Sequence, residues 1–372
     1  MTIDATHIER WMRECIALAQ RGGRAVDPNP QVGAIVVRDG VIIGRGWHKV
    51  HGGPHAEVHA LQAAGSGARG AVLIVTLEPC NHTGKTPPCT EAILNAGIRH
   101  VVIGMRDPNP DVAGHGIDRL EAAGVTCDCG VLEREVRAIN ERFLTNVEHR
   151  RPYVLLKIAQ TLDGFIAPQR GTSRWITSAE SRAVAHELRA QHDGILVGAG
   201  TVRKDDPSLT VRDATGPSPR RVILTSTLDL PQRAVVLNDA DRERTIVVTS
   251  SRAVREHGAE AERIRRRGVE ILEMRAGSKG LLPLAAVMHA LYERDIRSLL
   301  VEGGAAVYSQ FLREGLANRM ELFIAPKIIG AGESAFSSIR PVHMADAHHW
   351  TIVDTVRRGD DVHLTLVPPT AD

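Results

Sequence analysis

Two cysteines, Cys80 and Cys89, have eight residues between them, and each directly follows a proline. Upstream, the turn-forming Gly52-Gly53-Pro54 leads into His55-Ala56-Glu57. One imidazole and two thiolates are donors that suit zinc and leave its fourth tetrahedral position to a water, which the metal makes acidic. Cys89, at the first turn of a helix, would have its thiolate favoured by the helix dipole. Glu57, two residues past the histidine, can stand beside that water without ligating and carry a proton from it to a departing amine. The residues also admit other pairings: His55 with His59 at i, i+4 on one helix face and His82 as a further donor, a Cys80–Cys89 disulfide, or two isolated thiols.

A second set of chemistry-bearing residues lies downstream. Val301-Glu302-Gly303-Gly304 ends an apolar strand and leads into a helix from Ala305 to Leu312, where a phosphate can approach backbone N–H groups at the positive helix end. No G-x-G-x-x-G follows a strand, and Gly198-Ala199-Gly200-Thr201 is a partial match only. In VLLKIAQTLDG, strand alternation puts Lys157, Ala159 and Thr161 on one face. Arg189 and Arg212 are single arginines, and Asp205-Asp206-Pro207 reads as a turn.

The elements that must position these residues alternate along the chain. A first helix starts at Thr6, which has capping-box spacing to Glu9, and a hairpin flanks Arg38-Asp39-Gly40. Helices in PHAEVHALQAAG, PCTEAILNAG and IDRLEAAG then alternate with strands in AVLIVTL, HVVIGM and VTCDCG, and a helix runs from Leu132 to about Val147. The charged, proline-containing EHRRPY breaks the rhythm, so the boundary is placed there, giving domains 1–150 and 151–372. A second α/β pattern follows, with strands in VLLKIAQ, GILVGA, RVILTS, TIVVTS, VEILEM and SLLVEGG, helices in SAESRAVAHELRAQ, around Ala259 to Arg267, in LPLAAVMHALYERD and in AVYSQFLREG, and β-rich MELFIAPKIIG and DDVHLTLVP at the end. A chain of 372 residues fits two domains. Lys+Arg 46 against Asp+Glu 44 leaves a net charge of +2, which speaks against a broad basic face for nucleic acid. Five cysteines without a signal-like segment point to reduced thiols and a cytoplasmic protein, and the apolar runs are strand-length, too short for a bilayer.

H-x-E followed by P-C-x-x-C is the signature of zinc deaminases, and here the second cysteine comes after eight residues in place of two. The stretches VDPNPQVGAIVV, GRGWHKVHGGPHAEVHAL, TLEPCNHTGKTPPCTEAILNAGI and DPNPDVAGHGIDRLEAAG resemble the deaminase half of the bifunctional riboflavin-biosynthesis deaminase–reductases, in which the eight-residue spacing is usual. PYVLLKIAQTLDGFIA, SRWIT, LRAQ, VGAGTVRKDDPSLTVR and LLVEGG resemble, in order, the reductase half. The resemblance implies a cytidine-deaminase-like three-layer α/β domain followed by a dihydrofolate-reductase-like α/β domain. It implies one zinc per chain on His55, Cys80 and Cys89, with Glu57 as proton shuttle and Asn29 against the base. For NADPH it implies Ala159, Trp175, Thr201, Asp205, Ser226 and the turn Gly304, Ala305, Ala306, Val307, Tyr308, Ser309 and Gln310. For substrate it implies Lys157, Ser173, Arg189, Leu209, Arg212 and Glu302. With both cysteines read as zinc ligands, His82, Thr83 and Lys85 in the loop between them are better candidates for touching substrate than for holding metal. The reactions implied are hydrolytic deamination of a 2,5-diamino-6-(ribosylamino)pyrimidin-4-one 5′-phosphate, then NADPH-dependent reduction of its ribosyl to a ribityl chain, by a homo-oligomer (dimer or tetramer) without nucleic-acid or membrane partners. Two rivals differ in class: a nucleobase deaminase with an unrelated reductase-like appendage, and a non-catalytic binder of flavin precursors. The charge balance opposes the first, and the intact H-A-E, both cysteines and VEGG oppose the second.

Overall fold

A computed structural model describes residues 4–84, 86–109, 114–169, 175–277, 280–341 and 343–369. Ser173 and Lys85 lie outside the described residues. The chain divides into two compact units, Met1–Arg150 and Arg151–Asp372.

The first unit runs α1 (Ala5–Ala19), β1 (Gly33–Arg38), β2 (Val41–Trp47), α2 (Ala56–Ala64), β3 (Val72–Leu77), α3 (Cys89–Ala96), β4 (His100–Met105), α4 (His115–Ala122), β5 (Thr126–Cys129), α5 (Glu133–Ile139) and α6 (Glu141–His149). The sheet order is β2-β1-β3-β4-β5, with β1 antiparallel to both β2 and β3, and β3, β4 and β5 mutually parallel. Close approach fixes which helix covers which face. A Cβ on Gly33 would lie 2.0 Å from Cys15 O on α1, and one on Gly46 would lie 2.2 Å from Ala56 O on α2. Gly46 pairs with Ala34, the neighbour of Gly33, so the two helices sit on opposite faces of the sheet. Ile35, Val36, Ile74, Val75, Val102 and Ile103 are buried between them.

Two local details differ from the sequence expectation. Helix α1 is capped by Asp4, whose carboxylate accepts from Thr6 N, and not by a Thr6–Glu9 box. The helix expected from Leu132 to Val147 is divided at Asn140, because its buried side chain binds the Gln31 backbone instead, accepting from Gln31 N at 2.8 Å and donating to Gln31 O at 3.1 Å.

The second unit runs β6 (Tyr153–Thr161), β7 (Phe165–Pro168), α7 (Ala179–Ala190), β8 (Gly194–Gly198), α8 (Ala199–Asp205), β9 (Arg220–Leu224), β10 (Thr245–Ser250), α9 (Ser251–Glu256) and α10 (Gly258–Arg266). It continues with β11 (Glu270–Met274), α11 (Leu284–Tyr292), β12 (Ser298–Val301), α12 (Ala305–Arg313), β13 (Arg319–Ala325), β14 (Gly332–Ser334), β15 (Thr351–Arg358) and β16 (Asp361–Val367). The large sheet has the order β11-β10-β9-β8-β12-β6-β13-β16-β15, parallel from β11 to β13, with β16 and β15 antiparallel at one edge. Period-two alternation splits its apolar residues between two layers: Leu156, Ile158 and Leu196 pack with Phe311 on one face, and Leu155, Ile195 and Val197 pack with Val236 on the other. Strand β15 escaped the sequence reading because TIVDTVRR is exposed along most of its length and so carries no clean alternation. The short α8 and the two-stranded β7–β14 sheet were also missed.

Candidate active sites

In the first unit three elements deliver the zinc-type donors. His55 is the N-cap of α2, Cys80 follows the end of β3, and Cys89 opens α3. His55 Nδ1 lies 3.5 Å from Cys80 Sγ and 3.3 Å from Cys89 Sγ, and the Cys89 backbone N–H donates to Cys80 Sγ at 3.4 Å. The three donor atoms all fall within 4.8 Å of one another, and among the described residues this is the one such cluster of three or more metal-ligating groups. The alternative His55–His59 set is not brought together in it. Hydrogen bonds from the Cys89 thiol, then from His55, hold the Cys80 thiol below its ordinary range against the opposing effect of burial. Glu57 is 3 % exposed, and its Oε2 has no hydrogen-bond partner. Burial pushes its carboxyl above the ordinary range. A buried carboxylate oxygen without a partner, beside one imidazole and two thiols, is what a site built for a metal and a polar reactant presents.

Two further residues organise this site. His48 is 2 % exposed and stands edge-on to His55, with ring centroids 5.3 Å apart. Its Nδ1 faces Pro54 O at 3.2 Å, so that nitrogen carries the proton and Nε2 accepts from Asn29 Nδ2 at 3.2 Å. Asn29 is thereby tied to the turn that presents His55. Glu78, also buried, accepts from the backbone N–H groups of Asp107, Gly114, Gly116 and Ile117 at 3.0–3.2 Å, fastening the start of α4 beside the exit of β3. Within the cysteine loop, Thr90 Oγ1 donates to Asn81 Oδ1 at 2.9 Å, while His82 and Thr83 are exposed.

The second unit holds a cavity of about 900 Å³ at the carboxyl ends of β6, β8 and β12, where open α/β sheets bind ligands. It is lined by Lys157, Ala159, Trp175, Arg189, Thr201, Asp205, Leu209, Arg212 and Glu302, and by Gly304, Ala305, Ala306, Val307 and Tyr308. Arg189 grips Glu302 with both ends of its fork, Nε to Oε1 at 2.7 Å and Nη2 to Oε2 at 2.8 Å. Burial would raise the Glu302 carboxyl, but the Arg189 guanidinium overrides it and holds the group at about 2. Burial lowers the Lys157 ammonium, with Glu302 opposing. Tyr308 OH donates to Lys157 O at 2.7 Å and so joins α12 to β6. Helix α12 has no side-chain cap at its N-terminus, where Gly304, Ala305 and Ala306 line the cavity. A Cβ on Gly303 would lie 2.6 Å from Val197 Cα, so the turn packs directly on β8.

A cytidine and deoxycytidylate deaminase zinc-binding region matches residues 5–105, and a RibD C-terminal domain matches residues 152–364. The riboflavin biosynthesis protein RibD of Aquifex aeolicus is 46% identical over 327 residues, which is 88% of this chain and 89% of that protein. The chain belongs to the RibD family. Among solved structures, Acinetobacter baumannii RibD (form 1) is 35% identical with a TM-score of 0.81, covering 99% of this chain and 100% of that one. A Thermotoga maritima diaminohydroxyphosphoribosylaminopyrimidine deaminase/5-amino-6-(5-phosphoribosylamino)uracil reductase is 41% identical with a TM-score of 0.78, covering 98% of this chain and 99% of that one. Membership of the RibD family makes the chain a bifunctional deaminase and reductase of riboflavin biosynthesis, with zinc and NADPH as its cofactors. The fold is the cytidine-deaminase-like layer followed by the RibD reductase domain.

Of the residues that the RibD resemblance pointed to for NADPH, three are placed elsewhere. Ser309 is fully buried and accepts from Ser338 N, and Gln310 donates to Leu282 O and Glu314, so both side chains face the core side of α12 and do not line the cavity. Ser226 follows β9 at the same carboxyl edge, half-buried, and is likewise outside the lining. His48, Glu78 and His186 were not singled out from the sequence. For His186 the signal was available, since it precedes Arg189 by three residues on one helix face. Among the described residues, no helix is long and apolar enough to cross a membrane.

Proposed function

We propose that residues 1–150 deaminate 2,5-diamino-6-(5-phosphoribosylamino)pyrimidin-4(3H)-one and that residues 151–372 reduce the resulting 5-amino-6-(5-phosphoribosylamino)uracil to its ribityl form. The observation that carries the reading is the His55, Cys80 and Cys89 donor set beside the partnerless Glu57 oxygen, in the same chain as the Lys157–Glu302 cavity. His55, Cys80 and Cys89 would hold zinc, which when bound polarises and acidifies water. Asn29, fixed by His48, orients the pyrimidine. Glu57 accepts a proton from the attacking water and returns it to the departing amine, so that ammonia leaves and a carbonyl remains at C2.

In the second unit, the N-terminus of α12 with Ala159, Trp175, Thr201 and Asp205 would hold NADPH, which supplies a hydride to the sugar C1′. Leu209, Arg189 and Arg212 line the substrate side, the arginines suiting a 5′-phosphate. Glu302 is committed to Arg189, which leaves Lys157 to hand a proton to the sugar oxygen as the hydride arrives. Lys157→Met is therefore expected to slow single-turnover hydride transfer by roughly 10²-fold, the lower end for a positioned general acid. Stopped-flow NADPH absorbance checks this, and weaker binding with an unchanged transfer rate would remove the role.

We further read the protein as cytoplasmic and as a homo-oligomer. Exposed Ile352, Val353 and Val362 on the β15–β16 edge support association, and a monomer mass in sedimentation equilibrium would remove that reading. The decisive assay supplies the diaminopyrimidinone phosphate and follows ammonia release and NADPH absorbance together, with and without a zinc chelator. Chelation is expected to stop ammonia release, while NADPH oxidation continues when the deaminated intermediate is supplied directly.

A further inference from the structure

The segment after α8 has no regular secondary structure from Asp206 to Arg212, yet its backbone is held at three consecutive residues. Arg189 Nη1 donates to Thr210 O at 3.0 Å, Val211 N donates to Ser218 Oγ at 3.0 Å, and Arg212 N donates to His186 Nδ1 at 3.2 Å. A backbone N–H can only donate, so His186 Nδ1 is unprotonated and the ring proton sits on Nε2. That nitrogen faces Asp213 Oδ2 at 3.5 Å. The imidazole is 6 % exposed and lies on α7, where its charged surroundings are Arg189 on the same helix, Arg212 and Asp213 on the loop, and Glu302 at the end of β12. Burial comes first in favouring the neutral ring, and Arg189 and Arg212 add to it against Asp213 and Glu302.

What this ring holds is the arm of Arg212. The Arg212 guanidinium is exposed at the cavity, and its Nη1 donates to Ser208 Oγ. Between those two residues Leu209 adopts φ +57°, a conformation costly for a branched side chain, so the loop shape depends on its anchors. Arg212 has an exposed, flexible side chain, and its direction into the cavity follows from where its backbone is pinned.

We propose that His186 is a positioning residue for the reductase substrate's phosphate: its unprotonated Nδ1 fixes the Arg212 backbone and thereby sets the guanidinium at the cavity that Arg189 also lines. The proposal rests on the reading of Arg189 and Arg212 as holders of a phosphate dianion. It adds a specificity element, because a displaced Arg212 weakens recognition of the phosphate while leaving the nicotinamide side and the reacting sugar carbon unchanged.

The test uses the whole protein with NADPH and two substrates, 5-amino-6-(5-phosphoribosylamino)uracil and its dephosphorylated form. His186→Asn keeps an acceptor where Nδ1 stood, since the Asn Oδ1 overlays that atom. His186→Gln moves its amide out toward the Nε2 position and leaves Arg212 N unsatisfied. The Gln variant is expected to raise KM for the phosphorylated substrate about tenfold, the effect of one lost hydrogen bond, with kcat, NADPH Kd and KM for the dephosphorylated substrate within about twofold. The Asn variant is expected to stay within about threefold of the unaltered protein on every measure. An equal rise in KM for both substrates, a loss expressed in kcat, or an Asn variant as impaired as the Gln variant overturns the proposal. If the unaltered protein does not distinguish the two substrates, the phosphate reading itself falls and takes this proposal with it, an outcome separable from a failure of His186 alone. Should the Gln variant not fold, ring nitrogen shifts of His186 in the unaltered protein decide the matter: an unprotonated Nδ1 supports the proposal, and a protonated one overturns it.

Discussion

Replacing Glu57 with Gln lowers ammonia release by roughly 10³-fold or more, while zinc content and NADPH-dependent reduction of supplied intermediate are unchanged. The amide has the size and shape of the carboxyl, so the fully buried pocket wall on α2 keeps its packing, but it cannot take up the proton that must travel from water to the leaving amine. Glu57 is not one of the three clustered donors, and Gln keeps an oxygen for its contact with the Cys89 thiol, so metal content should not follow the substitution. The reductase cavity is built wholly from residues beyond Arg150, which is why its turnover serves as an internal control. Ammonia release at the unaltered rate would reject Glu57 as the shuttle; loss of zinc along with activity would make it a structural residue.

Arg189→Met has the second large effect, on stability as well as on substrate binding. Its guanidinium and the Glu302 carboxylate are 13% and 9% exposed, so the methionine leaves a nearly buried carboxylate without its bidentate partner. Removing one member of such a pair typically costs about 3 kcal/mol or more at neutral pH. The pH dependence follows from the directions of the shifts. In the unaltered chain Glu302 titrates at about 2, below its unfolded range, so its contribution is present above that range and is lost as pH falls toward about 2. In the variant, burial dominates and the folded carboxyl moves up, with Lys157 and then His186 opposing, so the deficit is greatest near neutrality and shrinks below about pH 5, where Glu302 can protonate. Chemical denaturation across pH measures this. The double change Arg189→Met with Glu302→Gln should recover most of the stability and none of the substrate affinity, and a deficit equal at every pH would show that packing, not the stranded charge, was responsible.

The zinc-type ligands were readable because each sits at the boundary of an element that sequence pattern reveals. His55 caps a helix after a Gly-Gly-Pro turn, Cys80 comes just after a wholly buried strand, and Cys89 opens a helix after Pro88. The eight residues between the cysteines looked like a departure from the shorter spacing, yet the loop returns Cys89 N to Cys80 Sγ and closes the cluster. The N-terminal turn of α12 was readable for the same reason, whereas Ser309 and Gln310 were carried along with it because a run of helix residues does not state which face each side chain takes.

The sequence alone determined the donor types, the elements that carry them and the two-part α/β order, because periodicity, caps and turn residues are local properties of the chain. Tertiary structure decided which distant groups meet. Arg189 finds Glu302 across 113 residues because α7 and the end of β12 converge on one cavity. Asn29 reaches His48, Glu78 gathers backbone N–H groups from 29 to 39 residues away, and His186 takes the Arg212 N–H, each through packing between segments whose separation in sequence carries no sign of the contact. Donor chemistry can be read from residue type; the protonation and direction of those donors depend on burial and on neighbours that only the folded sheet order brings into reach.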